Sequence, residues 1–406
     1  MKKTRYFFLT LIMSVLAFTG CASTGESDSI SKGETSNVSS ENKNSDNSGQ
    51  TIDPDSRYQL VNNEILFDEE GDWVQKYNYC PSILVDGDNG YCWYCTSITD
   101  GIGGDDHIGY RRGVIKDGKW VWGSKKIAIS PKENSWYSGN ICDPDVIKGE
   151  FAYKGETYTY LMTVLGCTTK DNTSNMFGFF VAKSPDGPWI EAETVSPLYD
   201  FYDEYPDYVY KPGVNSFIWG WGQSCVLSCD GKGKVLIFYT GRSSTGAKVE
   251  CWDFSNLDTP SMIYEKEIRN TGVVDLNGQR DTICNSHFVF DKTKSRFYML
   301  CDVHPFDEYQ WPTNLPLKTN VYYVDVPTTI DFYNIFKAKY EWTLLFSLDK
   351  EKTGSPRNHN CCFYRDSYGY MLNTHDLDIA YTYAPLGDDW KVLFWYRIRG
   401  FRYKVD

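Results

Sequence analysis

A strand-like run, a Gly/Asp/Lys turn and an aromatic strand recur five times along this chain. That repetition constrains the fold more than any other feature. The units read "CPSILVDGDNGYCWYC", "DPDVIKGEFAYKGETYTYLMTVLG", "QSCVLSCDGKGKVLIFYTG", "SHFVFDKTKSRFYMLCD" and "HNCCFYRDSYGYMLNT". They begin at Cys80, Asp143, Gln223, Ser286 and His359, so successive units start 63, 80, 63 and 73 residues apart. Each is followed by a further strand-like stretch: "DHIGYRR", "MFGFFVAKS", "KVECWDF", "NVYYVDV" and "LDIAYTY". Turns such as "DGDNG" and "DGKGK" are of the kind that close hairpins. No helical period is sustained. Each unit therefore supplies at least three strands and a less regular outer one. Five such units predict an all-β, five-bladed β-propeller, with a pair of β-sandwiches as the alternative. The segment "YQLVNNEILF", ahead of the first unit, is placed to add a strand that closes the circle against the last.

The first 56 residues read differently. Lys2, Lys3 and Arg5 precede the apolar stretch "YFFLTLIMSVLAFTG", which ends at small residues before Cys21. That layout is an export signal over residues 1–20, and its apolar run is short for a bilayer span. "AFTGC" resembles a bacterial lipobox, which implies lipidation at Cys21 and anchoring at the outer face of a bacterial cell membrane. Residues 21–56 have almost no apolar side chains, so they read as a disordered tether. Residues 57–406 remain for the propeller domain.

Composition narrows the partners. The formal charge is −13, and removing the three basic residues of the leader takes the mature chain to near −16. No basic run exists, which argues against nucleic acid. Aromatic residues make up 16% of the chain, with 31 Tyr and 13 Trp. That excess suits β-structure, and flat rings also match the apolar faces of sugars. Of the 13 cysteines, most sit in apolar strand-like runs. They read mainly as buried free thiols, with one or two disulfides left open. "CWYC" is not a convincing metal pair, because residues three apart on a strand face opposite sides.

In a propeller the first strand of each blade lines the central channel. Cys80, Asp143, Gln223, His287 and His359 should then surround one funnel, where ligand chemistry belongs. Asp143 and Asp145 are two apart and share a strand face. Trp136 and Trp221 lie just ahead of two of these strand starts, and Trp73, Trp219 and Trp311 are further candidate platforms. Arg111, Arg112, Arg242, Arg280 and Arg357 are the basic groups expected near the rim. Asp105 and Asp106 precede His107 in "GGDDHIGYRR". Other acidic groups lie in 68–72 (Asp68, Glu69, Glu70, Asp72) and at Asp200, Asp203 and Glu204.

"DPDV" at the start of the second unit, "KSPDGPW" closing it and "GKVLIFYTG" in the third resemble the five-bladed propeller glycosidases of glycoside hydrolase family 43 and their fructosidase relatives. The resemblance spans roughly residues 65–400. It implies a three-carboxylate funnel: a base in blade one, an acid-tuning Asp in blade two and a general acid in blade three. Here Asp143 matches the second position, while Cys80 and Gln223 stand at the other two. Gln223 cannot serve as a proton-donating acid, and Cys80 ionises only beside a positive charge. Asp143, Asp145 and Asp106 are accordingly the catalytic candidates. Cys80, Gln223, His107, His287, His359, Arg111, Trp221 and Trp136 are the candidates for substrate binding. The resemblance also implies a structural calcium in the channel beside His359, with no cofactor required for turnover. The expected function is cell-surface, glycosidase-like action on an oligo- or polysaccharide, of β-xylosidase or arabinosidase type. The alternatives are a non-catalytic glycan-binding lipoprotein and, less favoured, a glycoside phosphorylase. The membrane enters only through the lipid anchor.

Overall fold

The computed structural model describes residues 58–59, 77–98, 106–117, 119–169, 173–209, 211, 219–241, 243–305, 316–326, 340–384 and 395–405. Cys21 with the leader and tether, the acidic segment 68–72 with Trp73, and Asp105, Arg242 and Trp311 lie outside these.

Strand β1 (Tyr58–Gln59) comes first. The first meander runs β2 (Asn78–Asp86), β3 (Asn89–Thr96) and β4 (His107–Lys116), with β5 (Lys119–Trp122) and β6 (Lys126–Ile129) both pairing with β4. The second is β7 (Asn140–Tyr153), β8 (Glu156–Cys167), β9 (Met176–Ala182) and β10 (Ile190–Glu191). The third is β11 (Ser224–Ser228), β12 (Lys234–Thr240), β13 (Ala247–Asp253) and β14 (Ser261–Glu267). The fourth is β15 (His287–Asp291), β16 (Arg296–Asp302), β17 (Thr319–Asp325) and β18 (Thr343–Leu348). The fifth is β19 (Arg357–Asp366), β20 (Asp376–Ala384) and β21 (Arg397–Lys404), completed by β1. The segment ahead of the first unit thus does add a strand to the last: Tyr58 pairs with Tyr403 and Gln59 with Arg402. The described α-helices, α1 (Phe201–Glu204) and α2 (Lys350–Thr353), are four residues each.

Hairpin turns follow from local chemistry. Lys154 and Gly155 link β7 to β8 with φ of 50° and 80°, the two positive values that a two-residue turn matched to strand twist demands. Burial then grades outward. Every residue of β11 and β15 is buried, because neighbouring strands and sheets cover both faces. At the outer edge β14, "SMIYEKE", is largely exposed, and its charged residues discourage edge-to-edge pairing.

Five apolar clusters hold the meanders together, each at a junction between neighbours. Trp93 and Leu84 of the first pack with Val146 and Met162 of the second, and Phe151 and Phe177 of the second with Ile237 of the third. Phe238 of the third meets Phe288 of the fourth, and Leu300 of the fourth meets Phe363 of the fifth. Cys362 and Tyr364 of the fifth pack with Ile83 and Tyr94 of the first. A parallel pairing of β19 with β2 accompanies this last junction, aligning Tyr364 with Ile83 and Arg365 with Leu84. The circle therefore closes through both core and ladder. Each fully buried large apolar side chain contributes roughly 1.5–3 kcal/mol to that closure. All twelve cysteines in the described residues are free thiols.

Candidate functional site

Three inner strands break their ladder at the same place. Pairing skips Cys80–Pro81 in β2, Asp143–Pro144 in β7 and Asn360–Cys361 in β19. Proline has no N–H, so Pro81 and Pro144 forfeit no ladder bond by leaving it. Each skipped pair opens on a left-handed residue, with φ of 46° at Cys80, 49° at Asp143 and 43° at Asn360, and Asn285 ahead of β15 has φ 43° as well. Asn and Asp tolerate that region, and other side chains such as that of Cys80 rarely visit it. A bulge of this kind re-aims a side chain out of the regular alternation. Gln223 holds the equivalent place ahead of β11.

These five residues form a collar. Asn360 Nδ2 donates to Gln223 Oε1 at 3.3 Å. Asn285 Nδ2 and the Asn360 N–H both donate to Asp302 Oδ2, at 3.2 and 3.3 Å. Across the collar, Cys95 Sγ donates to Asp143 Oδ1 at 3.4 Å and accepts the Asp143 N–H at 2.8 Å. Cys80 hydrogen-bonds both Asp143 and Cys95. Asp143 and Asn360 are each 8% exposed, Gln223 2% and Cys80 0%. Burial raises the Asp143 carboxyl above its usual range, and the bonds from Cys80 and Cys95 only oppose this. Burial likewise pushes the Cys80 thiol well up, so it is no ready nucleophile or base.

The two histidines expected at the funnel sit off the collar. His359 precedes Asn360, packs its ring 5.4 Å from that of Tyr396, and its Nδ1 lies 2.6 Å from Asn360 Oδ1. His287 is two residues past Asn285 and lies one tier deeper.

That deeper tier centres on Asp145. Its Oδ1 accepts from Ser82 Oγ at 2.7 Å and from the Arg365 guanidinium, and its Oδ2 accepts from the Val226 N–H at 2.7 Å. Arg365 also donates to Val226 O at 2.9 Å and to Cys225 Sγ at 3.3 Å. His287 Nδ1 lies 3.4 Å from the Phe363 N–H, which makes it the acceptor, so Nε2 carries the proton toward Asp145 Oδ1, also at 3.4 Å. Burial alone would raise the Asp145 carboxyl, but Arg365 and His287 outweigh it and hold it well below the usual range. Burial, then the Arg365 charge, lowers His287 to about 4, and burial lowers His359 to about 4. Both imidazoles are neutral near pH 7. Asp145 is committed to structure and has no proton to give.

Asp106, buried ahead of β4, lies beside the collar. Tyr79 Oη donates to its Oδ2 at 3.1 Å, its N–H donates to Asn140 Oδ1 at 2.9 Å, and Tyr77 also bonds it. The rings of Tyr77, Tyr79 and Tyr396 lie 5.1–5.3 Å apart as an aromatic wall. Asp106 and Asp143 both act on one thiol: Cys142 is pushed up by its bond to Cys95, by burial, and by these two charges.

The remaining candidates have other engagements. His107 is buried at the start of β4 opposite Thr96. Arg111 is bonded to Tyr94 Oη and Gly123 O, at 3.1 and 2.8 Å, and burial lowers it to about 10. Trp136 Nε1 donates to Glu191 at 2.8 Å. Trp221 stacks on Tyr199 at 5.9 Å and 16°. Asp200 caps α1 through the Tyr202 N–H. Reading from sequence missed Asn285, Asn360, Arg365 and Asp302. The offset of Cys80 and Asp143 from their strands, applied to "CNSHF" and "HNCCF", marks the two asparagines. Nothing local marks Asp302, which is fully buried at the end of β16 and raised by that burial to about 7 despite bonds from Thr319, Asn285 and Asn360.

The calcium implied at the channel needs hard oxygen donors. In the described residues His359 belongs to no cluster of three or more His, Cys or carboxylate donors. The deeper cluster of Asp145, Cys225 and His287 mixes soft donors with a carboxylate already bound to a guanidinium. Neither set fits calcium.

No family model matches the chain, and no curated protein matches it. Solved structures do. A family 117 glycoside hydrolase from the marine bacterium Zobellia galactanivorans superposes with a TM-score of 0.50 at 12% identity, over 85% of this chain and 90% of that one. The catalytic domain of a GH62 α-L-arabinofuranosidase from Coprinopsis cinerea gives 0.49 at 10%, over 84% and 95%. A GH43_1 enzyme from Xanthomonas citri gives 0.46 at 11%, over 83% and 89%. The first of these carries the conclusion about fold: this chain is a β-propeller, the fold it shares with that hydrolase.

Proposed function

We propose that the protein recognises a glycan at the collar and reads its hydroxyl groups without cleaving the glycosidic bond. One observation carries this reading. Of the five collar residues Asp143 alone is a carboxylate, Asp145 one tier down is neutralised by Arg365, and Asp302, bonded by Asn285 and Asn360, is fully buried at the end of β16. Glycoside hydrolysis needs two carboxyl groups, about 5–5.5 Å apart for retention or about 6.5–9.5 Å for inversion. The rest of the collar offers amide chemistry at Gln223, Asn285 and Asn360, which suits sugar hydroxyls, and a tyrosine wall stands beside Asp106. The fold of the solved hydrolases supports a carbohydrate ligand of some kind. The chain's own leader supports action at the outer face of the cell membrane, tethered through Cys21.

A second reading keeps hydrolysis, with Asp143 and Asp106 as the acting pair. It is favoured by the thiol of Cys142, which both carboxylates influence. The test is a panel of oligosaccharides for binding and of aryl pyranosides and furanosides for turnover. Binding without turnover, weakened roughly 10-fold in Gln223→Ala by loss of one hydrogen-bonding group, supports recognition. Turnover lost in both Asp143→Asn and Asp106→Asn replaces it with the hydrolase reading. Neither binding nor turnover on any member sinks both. Loss of fatty-acid labelling in Cys21→Ala checks the anchor.

A further inference from the structure

Asp143 is a buried carboxylate with a chemically unusual set of neighbours. Its side chain is bonded by the thiols of Cys80 and Cys95, and among the described residues no lysine, arginine or histidine pairs with it. Thiols are weak donors, and a dry carboxylate without a cation is costly. Asp145, two residues on, has a guanidinium, a hydroxyl, a backbone amide and an imidazole. The fold has therefore met the charge of one carboxylate and left that of the other to two thiols.

Sulfur and carboxylate together are what a thiophilic cation selects. The Sγ atoms of Cys80 and Cys95 and a carboxylate oxygen of Asp143 all lie within 4.8 Å of one another. Zinc binds thiolate at about 2.3 Å, which puts tetrahedral sulfurs about 3.8 Å apart, so the three donors need only small rotations to share one ion. Cys142 is bonded to Cys95 and lies next to this trio without belonging to it, so water completes a four-coordinate shell. The backbone contributes as well: the Asp143 N–H points at Cys95 Sγ, as outer-shell donors do around ligating sulfur. Cys80 and Asp143 reach the cluster through the same left-handed bulge on adjacent inner strands. The sequence reading set "CWYC" aside as a metal pair, and the two cysteines do part company. Cys92 packs into the junction with the fifth meander, while Cys95 joins Cys80 and Asp143.

We propose that Cys80, Cys95 and Asp143 form a buried binding site for a thiophilic divalent cation, zinc in the first instance. Each cysteine ligates as thiolate, so its proton passes to solvent as the metal–sulfur bond forms. The site stands on the convergence of these donors and not on the glycan reading, and its test needs no sugar.

The full chain is purified under reducing conditions and offered zinc or cobalt. Expected are one equivalent of zinc retained through gel filtration and, with cobalt, sulfur-to-metal charge-transfer absorption with the intense visible bands of tetrahedral geometry. Cys95→Ser weakens zinc binding by more than the roughly 10–100-fold that loss of an outer-shell partner costs. Cys301→Ser, at a buried thiol elsewhere in the core, binds as the parent does and controls for folding. If Cys95→Ser proves unfolded, Cys80→Ser and Asp143→Asn carry the comparison, each with weakened cobalt absorption expected. No retained metal, a cobalt spectrum without sulfur character, equal binding by ligand and control variants, or a chain mass showing these cysteines paired in a disulfide overturns the proposal. Metal uptake without glycan binding leaves it standing and removes only the glycan reading.

Discussion

Asp143 and Asp145 lie two residues apart on one strand and share a nearly complete burial, yet the fold treats them oppositely. Asp145 is held by four donors from four other strands, and its charge is fixed by Arg365. Asp143 sits in the bulge, with sulfur neighbours and a raised carboxyl. The difference teaches that burial alone says little about a carboxylate's role. The partners delivered by distant strands decide whether it is a strut or a site. Asp145 knits the inner strands of all five meanders together, while Asp143 has only thiol partners for its carboxylate.

The contrast breaks most directly at Arg365. Arg365→Leu strands the Asp145 charge, and unfolding in urea should show a loss of about 3–5 kcal/mol. A loss under about 1 kcal/mol would mean that Asp145 is no strut. The pair follows carboxylate linkage with a depressed folded pKa: its stability is present above the ordinary carboxyl pKa and is lost only as pH falls through the folded value.

Asp302 runs the other way. Its folded carboxyl is raised to about 7, so above an ordinary value of about 3.9 the unfolded chain has shed a proton that the native protein retains. Stability therefore falls as pH climbs from about 4 to 7, and Asp302→Asn should flatten that slope in a pH series of thermal transitions. An unchanged slope would place the proton elsewhere.

A smaller effect is expected at His287, which offers Asp145 one long hydrogen bond and accepts another from Phe363. His287→Phe should cost about 1–2 kcal/mol in the same urea experiment, well short of Arg365→Leu. Equal losses would make the imidazole, not the guanidinium, the centre of the tier. The smallest effect belongs to Asp143→Asn, within about 1 kcal/mol, because thiol bonds are weak and the substitution removes a charge that burial opposes. A loss matching that of Arg365→Leu would erase the distinction between the two carboxylates.

Much of the fold was legible before any coordinates. Strand alternation, turn residues and five recurrences report local physics: side chains alternate across a strand, Gly and Asp close hairpins, and a unit that cannot bury both faces alone must stack against its neighbours. Even the partial collar at Cys80, Asp143 and Gln223 could be read, because each marks the start of an inner strand. The histidines misled. A repeat aligned by its most conspicuous residue put His287 and His359 where the backbone puts Asn285 and Asn360, since a two-residue bulge shifts which side chain reaches the channel and leaves no mark in hydrophobic periodicity.

The chain's sequence by itself determined an all-β propeller and the strand starts at Cys80, Asp143 and Gln223, because these depend on neighbours close in sequence. Only the tertiary structure decided which carboxylate is neutralised and which is left to thiols. Arg365 lies 220 residues from Asp145, and Cys95 lies 48 from Asp143. Charge compensation acts through space over a few ångströms, so it appears only when the circle of strands has closed.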